Sequence, residues 1–254
     1  MRFFCALRVA VLGCILALAG CGGSGSPSSS SSIPATAGAA KVRFVDGAPF
    51  LETIINGEPG DIGTAYLQVD GQTVTSSFAY GSMTSFMSIA AGAHSLRALD
   101  TLGYSVGPLK TATLMGGNRY TLIVVGTYPS YQVLAFEEPK NGAGAQMSLY
   151  EASPAQPAID FGTFSASSAS NFVKRGSARF GNVATVSLAK SLSNVGAYAG
   201  VGTQAIPHGA LTLAQINGFD TRNALPFQNA SRVSLFLFDA KSSSAGPVFG
   251  SLDQ

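Results

Sequence analysis

From Ala40 onward, short alternating runs of apolar and polar residues are broken by turn residues at roughly ten-residue intervals. Alternation with a period of two is typical of strands that bury one face, and regularly spaced turns are typical of a sandwich or barrel. The first half of the chain has no stretch with a convincing helical period. The sequence therefore predicts an all-β fold.

The strongest local signal is AYLQVDGQTVTSSF (65–78), in which two alternating runs meet at Asp70-Gly71. This pair favours a type I′ hairpin turn, because both central residues of that turn need positive φ. The run RYTLIVVGT (119–127) is rich in β-branched residues, which predicts a central strand. Further strands are predicted at 41–45, 84–89, 94–99, 110–115 and 131–138, and a loop at 56–63.

The second half of the chain repeats the order of features of the first. Residues 145–164 follow the pattern of 40–54, residues 178–189 that of 77–90, and residues 231–254 that of 118–139. A repeat of about 100 residues is too long for a solenoid unit and fits two tandem domains. We therefore predict β-sandwich domains at 40–139 and 145–254. The second is a degenerate repeat, because it lacks the Asp-Gly hairpin and carries a serine-rich insertion at 165–170.

The N-terminal residues predict export and a lipid anchor. Residues 1–20 have two arginines followed by a short apolar run, which is typical of a signal peptide and too short to span a bilayer. The stretch LAGC (18–21) resembles the lipobox of bacterial lipoproteins, which implies cleavage before Cys21 and lipid attachment to its thiol. Residues 21–39 are then a flexible tether rich in glycine and serine. Gly22 is not the aspartate that retains enteric lipoproteins at the inner membrane, and this favours the outer membrane.

The charge balance and the cysteine count limit the range of expected partners and cross-links. Removal of residues 1–20 leaves 13 basic and 13 acidic side chains, so that the mature chain has no net charge. Nucleic acid is therefore not an expected partner, since its phosphates require a clear excess of cations. Cys21 is the only cysteine left in the mature chain, and a lipid on its sulfur excludes disulfides.

Residues that could carry chemistry are few, and none forms a recognisable catalytic set. His94 is predicted to be a surface residue of a strand, and His208 to lie in a loop. Ser187 and Lys190 match the S-x-x-K pattern of penicillin-binding proteins, but in a predicted strand without the other motifs of that class. We predict no catalytic residue and no bound cofactor.

The carboxylates predict no metal site, and the aromatic residues give only a weak indication of a ligand site. Glu58, Asp61 and Asp70 have no spacing known for a calcium loop, so no metal site is predicted. Glu137 and Glu138 are adjacent in a strand and point to opposite faces, so they cannot act as a pair. Tyr128 and Tyr131 flank a turn between two strands and are the candidate ligand contacts, although capping of the sandwich edge explains them as well.

Three stretches together carry a family resemblance. AKVRFVDGAP, YLQVDGQTVTSSFAYGSMTSFMSIAAGAHSLRA and TATLMGGNRYTLIVVGT resemble the bacterial domain of unknown function 4397 family, closely over 40–138 and more loosely over 145–254. Family members usually have a histidine at the position of Asp46 and an acidic residue at that of Phe50. The resemblance implies immunoglobulin-like or transthyretin-like sandwiches on an envelope protein, and no functional residue follows from it.

Together these observations predict a lipid-anchored cell-envelope protein that acts as a non-catalytic binding or structural module. Its expected partners are the membrane, through the N-terminal lipid, and an envelope protein or glycan. The alternative is a polysaccharide- or peptidoglycan-active hydrolase whose site the sequence does not reveal. A cluster of titratable groups with perturbed pKa values in a pocket would favour the hydrolase.

Overall fold

The computed structural model describes residues 38–49, 51, 54–55, 58–59, 65–99, 105–140, 142, 144–155, 158–164, 173–188, 194–199, 206–211, 232–239 and 248–253. Every regular element in these ranges is a strand, which confirms the all-β class. All of them lie in a unit that spans Thr36–Gln254. The predicted signal peptide, Cys21 and the tether up to residue 37 lie outside the described residues, as does the insertion at 165–170.

Ten strands precede residue 138 and eight follow residue 145 among the described residues. The first repeat contains β1 (Ala40–Asp46), β2 (Ile54–Ile55), β3 (Glu58–Pro59), β4 (Ala65–Val69), β5 (Gln72–Phe78), β6 (Met87–Ile89), β7 (Ser95–Leu99), β8 (Ser105–Lys110), β9 (Arg119–Thr127) and β10 (Ser130–Glu137). The second contains β11 (Gln146–Glu151), β12 (Ala158–Phe164), β13 (Val173–Arg179), β14 (Val183–Ser187), β15 (Asn194–Ala199), β16 (Ile206–Leu211), β17 (Arg232–Leu237) and β18 (Val248–Asp253).

Each repeat is built from an inner and an outer sheet with the same strand order. The inner sheets are β10-β9-β1-β6 and β18-β17-β11-β14, and the outer sheets are β5-β4-β7-β8 and β13-β12-β15-β16. In both inner sheets the first strand of the repeat pairs in parallel with a strand near its end, β1 with β9 and β11 with β17. The outer sheets are antiparallel throughout. The equivalence of the two halves therefore extends to topology.

Backbone hydrogen bonds repeat as well. The N–H of Gly81 donates to the carbonyl of Asp46, and the N–H of Gly181 donates to that of Glu151. These glycines have φ of 79° and 78°, a left-handed conformation that favours glycine. Asp46 and Glu151 accordingly end equivalent strands, and both are fully buried.

Three apolar layers hold the four sheets together. One lies within the first repeat, where Phe44 and Leu122 of the inner sheet meet Leu67 and Leu96 of the outer sheet. A second lies within the second repeat and includes Met147, Leu149, Ile159 and Phe161. The third is shared by the repeats, and its buried members are Val45, Ile123, Val125, Phe136, Tyr150, Ala152, Phe236 and Phe238. The inner sheets are thus covered on both faces.

The shared layer, defined by those eight residues, is closely packed and rich in aromatic rings. Tyr150 stacks on Phe236 at 4.8 Å between ring centroids and meets Phe136 edge-on at 5.6 Å. The Phe238 ring lies so close to Gly47 that a Cβ there would come within 2.5 Å of it. Burial of each large apolar side chain stabilises the fold by about 1.5–3 kcal/mol, so the shared layer is a substantial part of the core.

The predicted hairpin and the predicted central strand are confirmed. Asp70 and Gly71 have φ of 50° and 82°, as a type I′ turn requires, and they join β4 to β5. β9 lies between β1 and β10, in the interior of its sheet.

Four predictions of secondary structure differ from the structure. The strand expected at 110–115 is instead β8 at 105–110, after which Leu114 forms an isolated bridge with Gly92. The strand expected at 84–89 is shortened to 87–89, and the loop expected at 56–63 contains the two-residue strand β3. His208 lies in β16 rather than in a loop. β8 was missed because it contains Gly107 and Pro108, residues that a strand accepts at a sheet edge, and β8 is an edge strand.

Candidate functional site

Glu138 lies at the centre of a buried polar network between the repeats. Its Oε1 accepts a hydrogen bond from Arg43 Nη2 at 3.2 Å, and its Oε2 accepts from Arg232 Nη1 at 3.3 Å and from the Tyr150 hydroxyl at 2.7 Å. The Thr121 hydroxyl also donates to Oε1. The side chains of Arg43, Arg232 and Glu138 are 3%, 5% and 5% exposed. Four donors thus converge on this carboxylate.

The two guanidiniums have further partners that fix their orientation. Arg43 Nε donates to the Thr121 hydroxyl at 2.7 Å, and its guanidinium carbon lies 5.3 Å from the centre of the Phe236 ring. Arg232 Nη2 donates to the Pro139 carbonyl at 2.6 Å and to Gln146 Oε1 at 3.3 Å. Arg43 belongs to the first repeat and Arg232 to the second. The network therefore links the inner sheets of the two repeats through the Glu138 carboxylate.

The adjacent carboxylates Glu137 and Glu138 point to opposite faces, as predicted. Glu137 is exposed and accepts a hydrogen bond from Asn118 Nδ2 at 3.1 Å. Glu138 accepts hydrogen bonds from four donors, which occupy both of its oxygens. The two carboxylates therefore do not face each other as a pair.

His94 is buried, which corrects the prediction that it is a surface residue. Its side chain is 7% exposed, with Nδ1 2.7 Å from Asp70 Oδ2 and Nε2 2.9 Å from the Ala90 carbonyl. Both neighbours are hydrogen-bond acceptors, so each ring nitrogen of His94 has a polar partner. The hydrogen bond from His94, followed by that from the Ser95 N–H, holds the pKa of Asp70 below its usual 3.8. The Asp70-Gly71 turn thus contributes a carboxylate partner to the buried histidine.

Asp46 and Glu151 close equivalent turns with their carboxyl groups. Asp46 Oδ1 accepts from the Ala48 N–H at 2.9 Å, and Glu151 Oε1 accepts from the Ser153 N–H at 3.0 Å. Among the described residues, Glu151 Oε2 has no hydrogen-bond partner. Burial, together with the nearby charge of Asp239, raises the pKa of Glu151 to about 8. Glu151 is therefore mainly neutral at pH 7.

The aromatic candidates are placed differently from each other. Tyr128 is 52% exposed, in the turn between β9 and β10, whereas Tyr131 is half-buried and packs against the core of the first repeat. The turn is at the end of the inner sheet opposite to the start of β1, because β9 and β1 are parallel. Cys21, the predicted lipid attachment site, lies outside the described residues.

Metal ligands are not brought together in the part of the chain that the structure describes. No three His, Cys, Asp or Glu side chains there are close enough to hold an ion. Of the acidic residues considered from the sequence, Asp70 is engaged with His94, and Asp61 lies outside the described ranges. No described helix is long and apolar enough to cross a membrane.

These features define an all-β protein whose inner sheets pack face to face through buried ion pairs. The model of the family "Domain of unknown function (DUF4397)" matches residues 53–162, which confirms the family resemblance. The matched range runs from the first repeat into β12 of the second.

Other comparisons add little. Among curated proteins, none matches the chain. A solved structure of a candidate cell adhesion protein from Parabacteroides distasonis is 8% identical and aligns over 85% of this chain and 98% of its own. Its TM-score of 0.22 is far below that of a shared fold.

Proposed function

We propose that the chain is a lipid-anchored protein of the bacterial cell envelope, in the outer membrane, and that it acts as a non-catalytic binding or structural module. Cys21 carries the lipid in this proposal. The turn at Tyr128 is the contact for an envelope glycan or protein. An exposed aromatic ring in a loop is suited to both kinds of ligand, since it stacks on sugar rings and on apolar side chains.

The observation that carries the proposal is the position of Tyr128 relative to the start of the fold. The chain enters the inner sheet at β1, and Tyr128 is at the opposite end of the parallel neighbour β9. A protein tethered through residues before β1 would present Tyr128 away from its anchor. The Glu138 network and the shared layer make the two repeats a common support for that turn.

The hydrolase alternative has weaker support. Both nitrogens of His94 face acceptors, and Glu138 accepts from four donors, so neither is poised as a general base. Glu151 has a raised pKa but is fully buried. A general acid must reach its substrate within hydrogen-bond distance, which burial of this kind opposes.

The anchor is tested by metabolic labelling of the full chain with a palmitate analogue. Cys21→Ser should abolish the label, because a hydroxyl cannot take the thioether-linked lipid. Cys14→Ser, within the predicted signal peptide, is the matched control and should leave the label unchanged. Label that persists on Cys21→Ser would overturn the anchor.

The contact site is tested by binding of residues 36–254 to purified peptidoglycan and to envelope extract. We expect Tyr128→Ser to weaken binding roughly tenfold, which corresponds to about 1.4 kcal/mol. Tyr66→Ser removes another exposed tyrosine, from the outer sheet, and should have little effect. Equal binding by both variants would remove Tyr128 from the site. Release of soluble sugar by the wild type would favour the hydrolase.

A further inference from the structure

The chain enters the fold beside an exposed loop, residues 115–118. The Gly117 N–H donates to the Ala39 carbonyl at 3.0 Å, and the Lys41 N–H donates to the Asn118 carbonyl at 2.9 Å. A Cβ on Gly116 would lie 2.1 Å from the Gly38 carbonyl oxygen, so this approach requires glycine at 116. Whatever precedes residue 38 is therefore joined to the fold next to this loop.

Met115 gives the loop an apolar tip. Its side chain is 61% exposed, more than that of Tyr128 at the other end of the sheet. An isolated exposed apolar residue is ordinary on a protein surface. Met115 differs from such a residue because it lies beside the point where the chain enters the fold, at an end that also carries exposed cations.

Three exposed cations surround the same end. Lys41 and Arg119 are direct neighbours on β1 and β9, and the Arg119 guanidinium lies 4.1 Å from the centre of the Phe86 ring. Lys140 is two residues beyond Glu138, whose N–H donates to the Arg119 carbonyl at 2.8 Å. We call Met115, Lys41, Arg119 and Lys140 the basal surface.

The acidic residues near the basal surface are engaged. Glu137 accepts a hydrogen bond from Asn118, Glu138 is buried between two arginines, and Asp70 is paired with His94. Among the described residues, the cations of the basal surface are thus left to face solvent without a paired carboxylate.

The second repeat does not reproduce this arrangement. The counterpart of Lys41 is Gln146, since Gln146 faces Arg232 on the parallel strand as Lys41 faces Arg119. Arg232 is 4% exposed and bound to Glu138, whereas Arg119 is exposed. At this pair of strand positions, exposed cations are therefore found in the first repeat, to which the tether is joined, and not at the equivalent described residues of the second.

We propose that the basal surface docks onto the anionic phospholipid headgroups of the membrane that holds the anchor. Lysine and arginine side chains near such a surface are attracted to it, and an apolar side chain between them can insert among the headgroups. The physiological setting rests on the proposed lipid anchor, whereas the affinity of the surface for anionic lipid does not.

Because the predicted tether is short, even a weak contact between the basal surface and the headgroups would be enough for docking. Sixteen residues lie between Cys21 and Gly38. A flexible coil of this composition has a root-mean-square span of roughly 20–25 Å. The basal surface would thus be held at a high effective concentration near the headgroups, so docking needs little intrinsic affinity. Docking would orient the molecule with Tyr128 pointing away from the bilayer.

The test is co-sedimentation of residues 36–254 with vesicles of phosphatidylcholine alone or mixed with phosphatidylglycerol. This fragment contains all three apolar layers and lacks Cys21, so the result does not depend on the anchor. We expect binding to the mixed vesicles only, weakened by salt. Absence of binding at low salt would overturn the proposal, and palmitate labelling of the full chain would remain a separate result.

Matched triple variants separate location from total charge. Lys41→Ser, Arg119→Ser and Lys140→Ser together should weaken binding at least about tenfold. Arg97→Ser, Arg175→Ser and Arg179→Ser remove the same charge from other exposed positions and should change binding less than about twofold. Met115→Ser should also reduce binding and should affect chiefly the fraction that resists salt. Equal losses in the two triple variants would show nonspecific attraction and overturn the proposal.

Discussion

Glu138, the residue after the last strand of the first repeat, holds the Arg232 guanidinium of the second repeat 3.3 Å from its Oε2, with 5% of each side chain exposed. Arg43 approaches the other oxygen of the same carboxylate from the first repeat. A buried carboxylate between two guanidiniums is weak evidence for stability, because desolvation offsets much of the attraction. Removal of the Glu138 carboxylate, which both arginines share, is strongly destabilising, because it leaves two buried cations without a counter-charge.

The first prediction concerns that carboxylate. Glu138→Ala should lower the free energy of unfolding of residues 36–254 by about 3–5 kcal/mol. Glu137→Ala is the matched control, because Glu137 is adjacent and exposed, and its effect should be within about 0.5 kcal/mol. Urea denaturation followed by circular dichroism measures both. Similar values for the two variants would show that the network contributes no stability.

The second prediction concerns the isolated first repeat. A fragment of residues 38–140 keeps its own core, but exposes Val45, Ile123, Val125 and Phe136 of the shared layer. We expect it to self-associate through that face, because exposed apolar surface of this kind is unfavourable in water. Light scattering after size exclusion measures its mass. Ile123→Lys should make the fragment more monomeric while destabilising the full chain. A monomeric wild-type fragment as stable as the full chain would contradict the importance of the shared layer.

The third prediction concerns the Asp70-Gly71 turn. An ideal Cβ on Gly71 meets no atom within 4 Å, so any cost of substitution comes from its φ of 82°. Gly71→Val should therefore destabilise residues 36–254 by about 1–3 kcal/mol. Gly71→Asn should cost less, because asparagine tolerates the left-handed region. Thermal unfolding ranks the variants, and equal midpoints for valine and asparagine would argue against this explanation.

The fourth prediction concerns pH. The Glu151 carboxyl ionises near its ordinary 4.5 in the unfolded chain, and its pKa is about 8 in the fold. Between these values the folded state retains a proton that the unfolded state has released. Stability should therefore fall as pH rises from about 4.5 to about 8, with a slope of at most about 1.4 kcal/mol per pH unit.

Glu151→Gln tests the origin of that slope. The amide oxygen can still accept from the Ser153 N–H, but the side chain does not ionise. The variant should lose the decline in stability and should exceed the wild type at pH 8. Glu137→Gln, at an exposed position, should keep the wild-type slope. Urea denaturation at pH 5 and pH 8 gives the comparison, and an unchanged slope in Glu151→Gln would assign it to other groups.

Local features of the fold were predictable because local residues determine them. Asp70-Gly71 specified its turn, and the β-branched run of β9 indicated a central strand. The packing of the inner sheets was not predicted, although a signal was present. VRFV, LIVV and SLFLF do not alternate, and continuous apolar runs are typical of strands that are buried on both faces.

The candidate site was less predictable because its contacts are remote in sequence. Arg43 interrupts an apolar run, and this pattern indicates a buried charge. No residue near it in the sequence indicates that its partner is Glu138, which is 95 positions away. His94 was misplaced for the same reason. Its burial depends on Asp70, which is 24 residues away, and on the Ala90 carbonyl. The Tyr128 turn was recognisable from its sequence, whereas its position relative to β1 depends on the parallel pairing with β9.

That parallel pairing has a mechanical consequence. A ligand held at Tyr128 would pull on the C-terminal end of β9, and an anchor that precedes Gly38 would pull on the N-terminal end of β1 in the opposite direction. The two strands would then be loaded in shear along their length. The six residue pairs from Lys41–Arg119 to Asp46–Val124 would resist the force together instead of separating one after another. An antiparallel first strand would be peeled away from its end by the same tension.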